Sequence, residues 1–396
     1  MTLFYLRTSP AAVRVLLALA VVFVMLATTG WTAVRPHGLP DARAASISAW
    51  MSGKVGLRRL PDPKAAPGAI ARFFASLTAT QRLGLAKRYP LVVGNLNGAP
   101  TALRYLANRL ALTEARSAER ALYRSGKLTP VGRQNARLLV ERYTSLLTGN
   151  RQILAFDPTG AGRAAEVLGD LDTASRISIV VPGVDTDMLS FERDDKPYQA
   201  PAGMARELYG AEASADPGAH TAVVAWADYT TPIGVGLDAS TGLDAERGAV
   251  RLEGLVTALP RQAEVALFCH SYGSVLCGVA APDLPRGRVS DITVFGSPGV
   301  RARHADDLHT TAHIWAARDA GDWIGDVPHL EFAGLGHGAD PVSSSFGARV
   351  ISAAGASGHP GYFAPGTTSL ANFAEIALGD YRDVACNQSD ACTQGL

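Results

Sequence analysis

The sequence predicts an α/β protein: a mostly parallel β-sheet with helices on both faces, preceded by an α-helical module and an N-terminal membrane-targeting segment. Three observations carry this. Beyond residue 150, seven short apolar or β-branched runs (153–156, 177–181, 222–226, 265–268, 292–295, 313–316 and 330–333) are separated by helical stretches, the spacing of strands joined by crossover helices. Before residue 150 apolar residues recur at helical intervals instead. Residues 15–34 carry no charge at all, and at about 1.5 Å per helical residue they match a bilayer core of about 30 Å. With 396 residues, 47% of them hydrophobic, the chain can bury a large core. The expected organisation is 1–44 signal peptide or membrane anchor, 45–150 basic α-helical module, and 151–396 catalytic domain.

The apolar N-terminal run is preceded by Arg7 and Arg14 with no acidic residue, which favours a cytoplasmic N-terminus and an exported body, membrane-anchored on the extracellular side or secreted. An A-x-A cleavage signal occurs at Ala42-Arg43-Ala44, well beyond the run, so a retained anchor and a removed signal both fit.

In the helical module, Thr78 and Gln81 form a capping box, and Leu103, Leu106 and Leu110 mark the apolar face of a helix ended by Gly126. Pro130 opens another, with Val131, Leu138, Tyr143 and Leu146 or Leu147 as its apolar face. Gly94-Asn95-Leu96-Asn97-Gly98-Ala99-Pro100 reads as a loop.

Charge divides the chain in the same way. The total of 37 basic and 36 acidic residues excludes a disordered acidic tail and a general polyanion binder, nucleic acid included. Residues 45–150, however, hold 17 basic and 4 acidic residues, and 151–396 hold 16 and 31. The module is therefore expected either to dock on the acidic body by complementary charge or to face anionic lipid or envelope polymer. Of the four cysteines, Cys386 and Cys392 bracket a short polar loop and can close a disulfide in an exported protein. Cys269 and Cys277 fall on a strand end and inside the next helix, too far apart to bridge, and are expected as buried small residues.

The chemical signal is Phe268-Cys269-His270-Ser271-Tyr272-Gly273-Ser274, an apolar strand turning sharply into a helix of small residues: a nucleophile elbow centred on Ser271. Cys269 replaces the usual first Gly. A serine hydroxyl needs a base, and the base a carboxylate that fixes its tautomer, in the chain order Ser, acid, His. The segment after the 313–316 strand offers Asp319, Asp322 and Asp326; Asp322, in a Gly-Asp-hydrophobe loop, is preferred. His359 and His337 compete as base; strand order favours His337, whereas His359 lies on a later loop with an aromatic pair, Tyr362 and Phe363, to wall a pocket. Oxyanion donors are expected from the backbone of Tyr272 and from Gly183 and Val184 after the 177–181 strand.

Weaker features point elsewhere. The Asp157–Gly162 segment lacks a phosphate-binding pattern and reads as a surface turn. His309 and His313 lack the Glu a zincin needs, so no metal and no cofactor is expected. Trp226 to Pro232 could line a pocket or simply end a strand.

Together, the Gly94–Pro100 loop, Val181-Pro182-Gly183-Val184-Asp185-Thr186, the elbow, Gly321-Asp322-Trp323-Ile324, His337-Gly338-Ala339-Asp340-Pro341, Phe346-Gly347-Ala348-Arg349 and His359-Pro360-Gly361-Tyr362-Phe363 resemble a largely actinobacterial α/β-hydrolase family once catalogued as domain of unknown function 1023. The likeness spans roughly residues 70–380. It implies an α/β-hydrolase-type sheet and favours His359 as base. The sequence thus points to a serine hydrolase acting on an ester, thioester or related small acyl or lipid substrate. The alternative is a hydrolase-like binding or scaffold protein of the cell envelope that retains the pocket without turnover.

Overall fold

The computed structural model describes residues 42–332, 334–388 and 390–396. The apolar 15–34 segment lies outside them. Among the described residues no helix is long and apolar enough to cross a membrane. The Ala42-Arg43-Ala44 signal forms the first turn of a helix, where Arg43 pairs with Asp157 at 3.6 Å.

The chain opens with helices α1 (Ala42–Met51), α2 (Pro67–Ala75), α3 (Ala79–Arg88), α4 (Pro90–Val93), α5 (Thr101–Arg124) and α6 (Pro130–Leu147), plus a small hairpin of Lys54–Val55 with Arg58–Arg59. The capping box forms as expected: Thr78 Oγ1 accepts from Gln81 N, and Gln81 Oε1 accepts from Thr78 N. Two expected faces are corrected. Val131 is 71% exposed on α6, and on α5 Leu106 is exposed while Arg104, Asn108, Ala111, Leu112 and Ala115 turn inward.

That polar inner face has a physical reason. Residues 152–157 form the edge strand of the sheet, and an edge strand presents backbone groups that need partners. Asn108 Nδ2 donates to Ile153 O at 2.9 Å, Arg104 Nη2 to Leu154 O at 3.0 Å, and Asn95 bonds both Phe156 O and Phe156 N. The segment that read as a plain loop, Gly94–Pro100, thus supplies an Asn that pairs like a further strand residue. The helices are seated by these bonds and by apolar packing of Leu112, Tyr143 and Leu146 on Ile153 and Phe156. An opposite-charge pair joins the helices to the body as well: Arg142 of α6 pairs with Glu192 and donates to Leu189 O at 2.9 Å.

The main sheet has eight strands: β1 (Gln152–Asp157), β2 (Arg163–Gly169), β3 (Arg176–Val181), β4 (Thr221–Ala227), β5 (Glu264–His270), β6 (Val289–Phe295), β7 (His313–Ala317) and β8 (Arg349–Val350). Their spatial order is β8-β7-β6-β5-β3-β4-β2-β1, antiparallel at β1/β2 and β2/β4 and parallel elsewhere. β2 is missed by sequence because Arg-Ala-Ala-Glu-Val-Leu-Gly carries little β-branched signal. The 330–333 run does not join this sheet: Glu331–Phe332 pairs only with Leu335–Gly336 in a separate hairpin.

Helices α7 (Pro201–Ala215), α8 (Leu237–Ser240), α9 (Leu243–Ala258), α10 (Tyr272–Ala280) and α11 (Thr368–Leu378) complete the fold. One face of the sheet packs on α9 and α10 through Leu252, Leu267, Val275 and Leu276; the other packs on α7 and α11 through Leu208, Phe268, Phe295 and Phe373. Cys386 and Cys392 form the expected disulfide, but Cys269 and Cys277 are also joined, against expectation. The elbow folds α10 back against β5, so eight residues of sequence span only 6.5 Å between Cα atoms. The loops at the C-terminal ends of β3, β5, β6 and β7 converge, and the candidate site is built there.

Candidate active site

Ser271 links β5 to α10 with φ 52° and ψ −124°, a backbone conformation costly for a residue with a side chain. The turn is held by Ser271 N donating to Phe295 O at 3.0 Å and Ser274 N donating to Ser271 O at 2.9 Å. Ser271 is 6% exposed.

The acid and base candidates come together through His359 and Asp322. Asp322 caps the 3₁₀ turn Trp323–Asp326, accepting from Ile324 N at 3.0 Å. His359 Nδ1 lies 2.9 Å from Asp322 Oδ1 and 3.0 Å from Oδ2, and both residues are buried. Because the carboxylate can only accept, Nδ1 carries a proton, and in the neutral ring Nε2 is then the acceptor. Burial pushes the Asp322 carboxyl up, but hydrogen bonds from His359, Tyr362 and Ile324 N outweigh it and hold it below the ordinary value. Gly296, at φ 54°, adjoins both: a Cβ there would stand 3.0 Å from Asp322 Oδ2 and 3.2 Å from His359 Nδ1. Since Gly296 directly follows Phe295, the residue that accepts from Ser271 N, the three side chains share one corner of the sheet. Among the described residues the Ser271 hydroxyl makes no hydrogen bond.

The competitors are engaged elsewhere. His337 Nε2 donates to Ala239 O at 2.7 Å, and its ring meets Tyr272 edge-on at 5.7 Å. Asp319 Oδ2 accepts from Gly321 N and Gly358 N at 3.0 and 2.9 Å, shaping the two loops that carry Asp322 and His359. Asp326 is exposed. Tyr362 and Phe363 do not wall a pocket; they are buried in the core, and the Tyr362 hydroxyl donates to Asp322 Oδ2 at 2.6 Å while accepting from Asp319 N at 3.0 Å.

The loop after β3 faces the elbow. A Cβ on Gly183 would stand 2.7 Å from Ser271 Cβ and 3.1 Å from Oγ, so only Gly allows this approach. Val184 follows it, half-buried, and Asp185 adopts φ 56° with its N donating to Pro232 O at 2.9 Å. Tyr229, from the 226–232 stretch, donates its hydroxyl to Pro182 O at 2.6 Å, so that stretch is a buried strand end that braces this loop. Tyr272 is the first residue of α10, where a helix leaves its N–H groups without intrahelical partners.

His270 was passed over by sequence. It is buried, donates from Nε2 to His359 O at 2.9 Å and packs ring to ring with His359 at 4.6 Å. Burial, with a smaller contribution from His359, lowers its pKa to about 3, so it stays neutral and acts as a fixed backbone clamp. No motif distinguishes such a residue from an ordinary core histidine.

A family model described as an alpha/beta hydrolase matches residues 157–332. An uncharacterized protein of Mycobacterium tuberculosis is 28% identical over 382 residues, covering 81% of this chain and 57% of the relative. An uncharacterized protein of Mycobacterium bovis is 31% identical over 152 residues, 37% of this chain and 55% of that protein. The chain thus spans little more than half the length of these relatives. Among solved structures, an α/β serine hydrolase without lid from Xanthomonas campestris aligns with TM-score 0.35 and 16% identity, over 59% of this chain and 94% of that one. Est1E from Butyrivibrio proteoclasticus aligns with TM-score 0.33 and 10% identity, over 58% and 99%. The strand order, the elbow and the family match give this chain the α/β-hydrolase fold and support a hydrolase in general terms.

Proposed function

We propose that the protein is a serine hydrolase that cleaves an ester, thioester or related acyl substrate through an acyl-enzyme, and that it belongs to the α/β-hydrolase family its sequence resembles. The observation that carries the reading is the 2.9 Å bond between His359 Nδ1 and Asp322 beside a strained Ser271. With Nδ1 protonated toward Asp322, Nε2 accepts the Ser271 proton as Oγ attacks the acyl carbon. The tetrahedral oxyanion is held by the backbone N–H groups of Tyr272 and of Gly183 or Val184. His359 then returns the proton to the leaving alcohol or thiol as its bond to the acyl carbon breaks. Water, deprotonated by His359, releases the acid and restores Ser271. The body acts outside the cytoplasm, held by or released from the apolar 15–34 segment, and needs no cofactor.

A panel of monomeric short-chain esters and thioesters tests this. The wild type should turn over at least one acyl class and Ser271→Ala none. Equal turnover by both proteins would exclude Ser271. A folded wild type with no turnover across the panel would favour the envelope-scaffold alternative.

A further inference from the structure

The loops around Ser271 carry large apolar side chains that the fold leaves in solvent. Ile233, Val235 and Leu237 lie beyond β4, Trp323 follows Asp322, Leu330 precedes the hairpin beyond β7 and Leu335 lies in its second strand; Val235 is 72% exposed, Leu330 70% and Trp323 46%. These positions belong to one surface because the segments bearing them are bonded to the site and to one another. Gly234 N donates to Asp185 Oδ1 at 2.7 Å, tying the 233–237 loop to the segment after β3. His337 Nε2 donates to Ala239 O, tying the hairpin to α8, and both flank Tyr272, whose hydroxyl donates to Thr241 O at 2.9 Å. Trp323 lies against the His359 ring at 4.9 Å. Scattered exposed leucines are ordinary, but six large apolar residues on converging loops around one catalytic corner form a patch of the kind that meets an apolar partner.

Two further observations say what covers it. The exposed carboxylates on and beside these loops, Asp238, Asp326 and Glu246 in the first turn of α9, form no ion pair among the described residues, whereas Arg301 is tied to Glu331 and Arg247 to Asp244. The surface is therefore apolar and acidic, suited to an uncharged lipid layer and opposed to an anionic one. The chain also enters the described body at this end of the sheet: Arg43 in α1 pairs with Asp157, the last residue of β1, which runs in the same direction as β5. The uncharged 15–34 segment ends eight residues before α1 begins.

We infer that this apolar rim seats on the surface of a neutral lipid layer and that the substrate is a long-chain acyl lipid drawn from it into the Ser271 site. The substrate class rests on the serine-hydrolase reading; the seating does not.

The two can be tested apart in the full chain. In a Ser271→Ala background, a polarity-sensitive fluorophore is attached at Leu237→Cys, at Leu330→Cys, or at Arg261→Cys, which lies ahead of β5 at the opposite end of the sheet. After reconstitution into phosphatidylcholine vesicles, the labels at 237 and 330 should shift to the blue and be quenched by nitroxide lipids, with the label at 261 unchanged. Added phosphatidylglycerol should weaken the shift. No shift at 237 and 330, or an equal shift at 261, would overturn the seating.

In the catalytic protein, Ile233→Ser, Val235→Ser and Leu237→Ser combined should lower turnover of an aggregated long-chain ester by roughly tenfold or more, the scale set by exposing three apolar side chains. Turnover of a monomeric short-chain ester should stay within about twofold. Equal loss on both esters, or loss on neither, would overturn the lipid substrate. If insertion occurs but the wild type hydrolyses neither ester, the hydrolase reading fails and the seating stands.

Discussion

The hydroxyl of Tyr362 donates a 2.6 Å hydrogen bond to Oδ2 of Asp322 and at the same time accepts from Asp319 N, so one buried phenol fixes the carboxylate that faces His359. Tyr362→Phe keeps the ring in the core but removes a hydrogen bond to a charged acceptor, worth about 1.5–3 kcal/mol. The expected result is a fall in kcat of roughly ten- to a hundredfold with little change in KM. Steady-state kinetics with circular dichroism as a folding control checks it. An unchanged kcat would show that Asp322 is held without the phenol.

The two histidines separate cleanly. His359→Ala should lower turnover by about 10²–10⁴-fold, the span of general base catalysis. His337→Ala removes the bond to Ala239 O and the contact with Tyr272, which should cost about 1–2 kcal/mol of stability while leaving most turnover intact. Loss of turnover in folded His337→Ala alone would reverse the assignment.

Burial gives His270 a pKa of about 3, well under the ordinary 6.5. The unfolded chain binds this proton near pH 6.5 and the native state only near pH 3, so the unfolded state holds more protons between them and stability falls as pH drops through that window. The contribution is on the order of a few kcal/mol. Urea midpoints at pH 7 and pH 4.5 should therefore differ by less in His270→Gln than in wild type. Equal differences would mean that the clamp is not a buried neutral imidazole.

The Cys269–Cys277 disulfide encloses the elbow from both sides of Ser271. Peptide mapping without reductant should recover this bridge and Cys386–Cys392. Cys269→Ala with Cys277→Ala should destabilise the fold by about 2–3 kcal/mol on the chain-entropy scale for so short a loop. Free thiols at 269 and 277 in the native protein would contradict the bridge.

Much of the fold could be read along the chain, and the reasons differ by element. Six strands carry runs of β-branched, leucine or aromatic residues that stand out, and Thr78 with Gln81 announces its helix start. β2 does not, because its alanines pack against β1 and β4 without a local signal. Arg104 and Asn108 look like surface residues of α5, since nothing in a helical period says that its inner face must hydrogen-bond an edge strand. In the site, Ser271, Asp322 and His359 each sit in a legible motif, but their approach is set by long-range packing. The roles of His270 and Tyr362 exist only through partners some 40 to 90 residues distant. The Cys269–Cys277 bridge escaped for a related reason: spacing measures contour length, whereas the elbow doubles the chain back.

The central claim is that Ser271 is a nucleophile activated by His359 and Asp322. Fluorophosphonate labelling followed by mass spectrometry of the modified peptide tests it most directly. The adduct should map to Ser271 in the wild type and be absent in Ser271→Ala. It should also form roughly a thousandfold or more slowly in His359→Ala and Asp322→Asn, the range seen when a serine loses its base or its correct tautomer. An adduct on another residue, or labelling of Ser271 at an undiminished rate in both variants, would contradict the account.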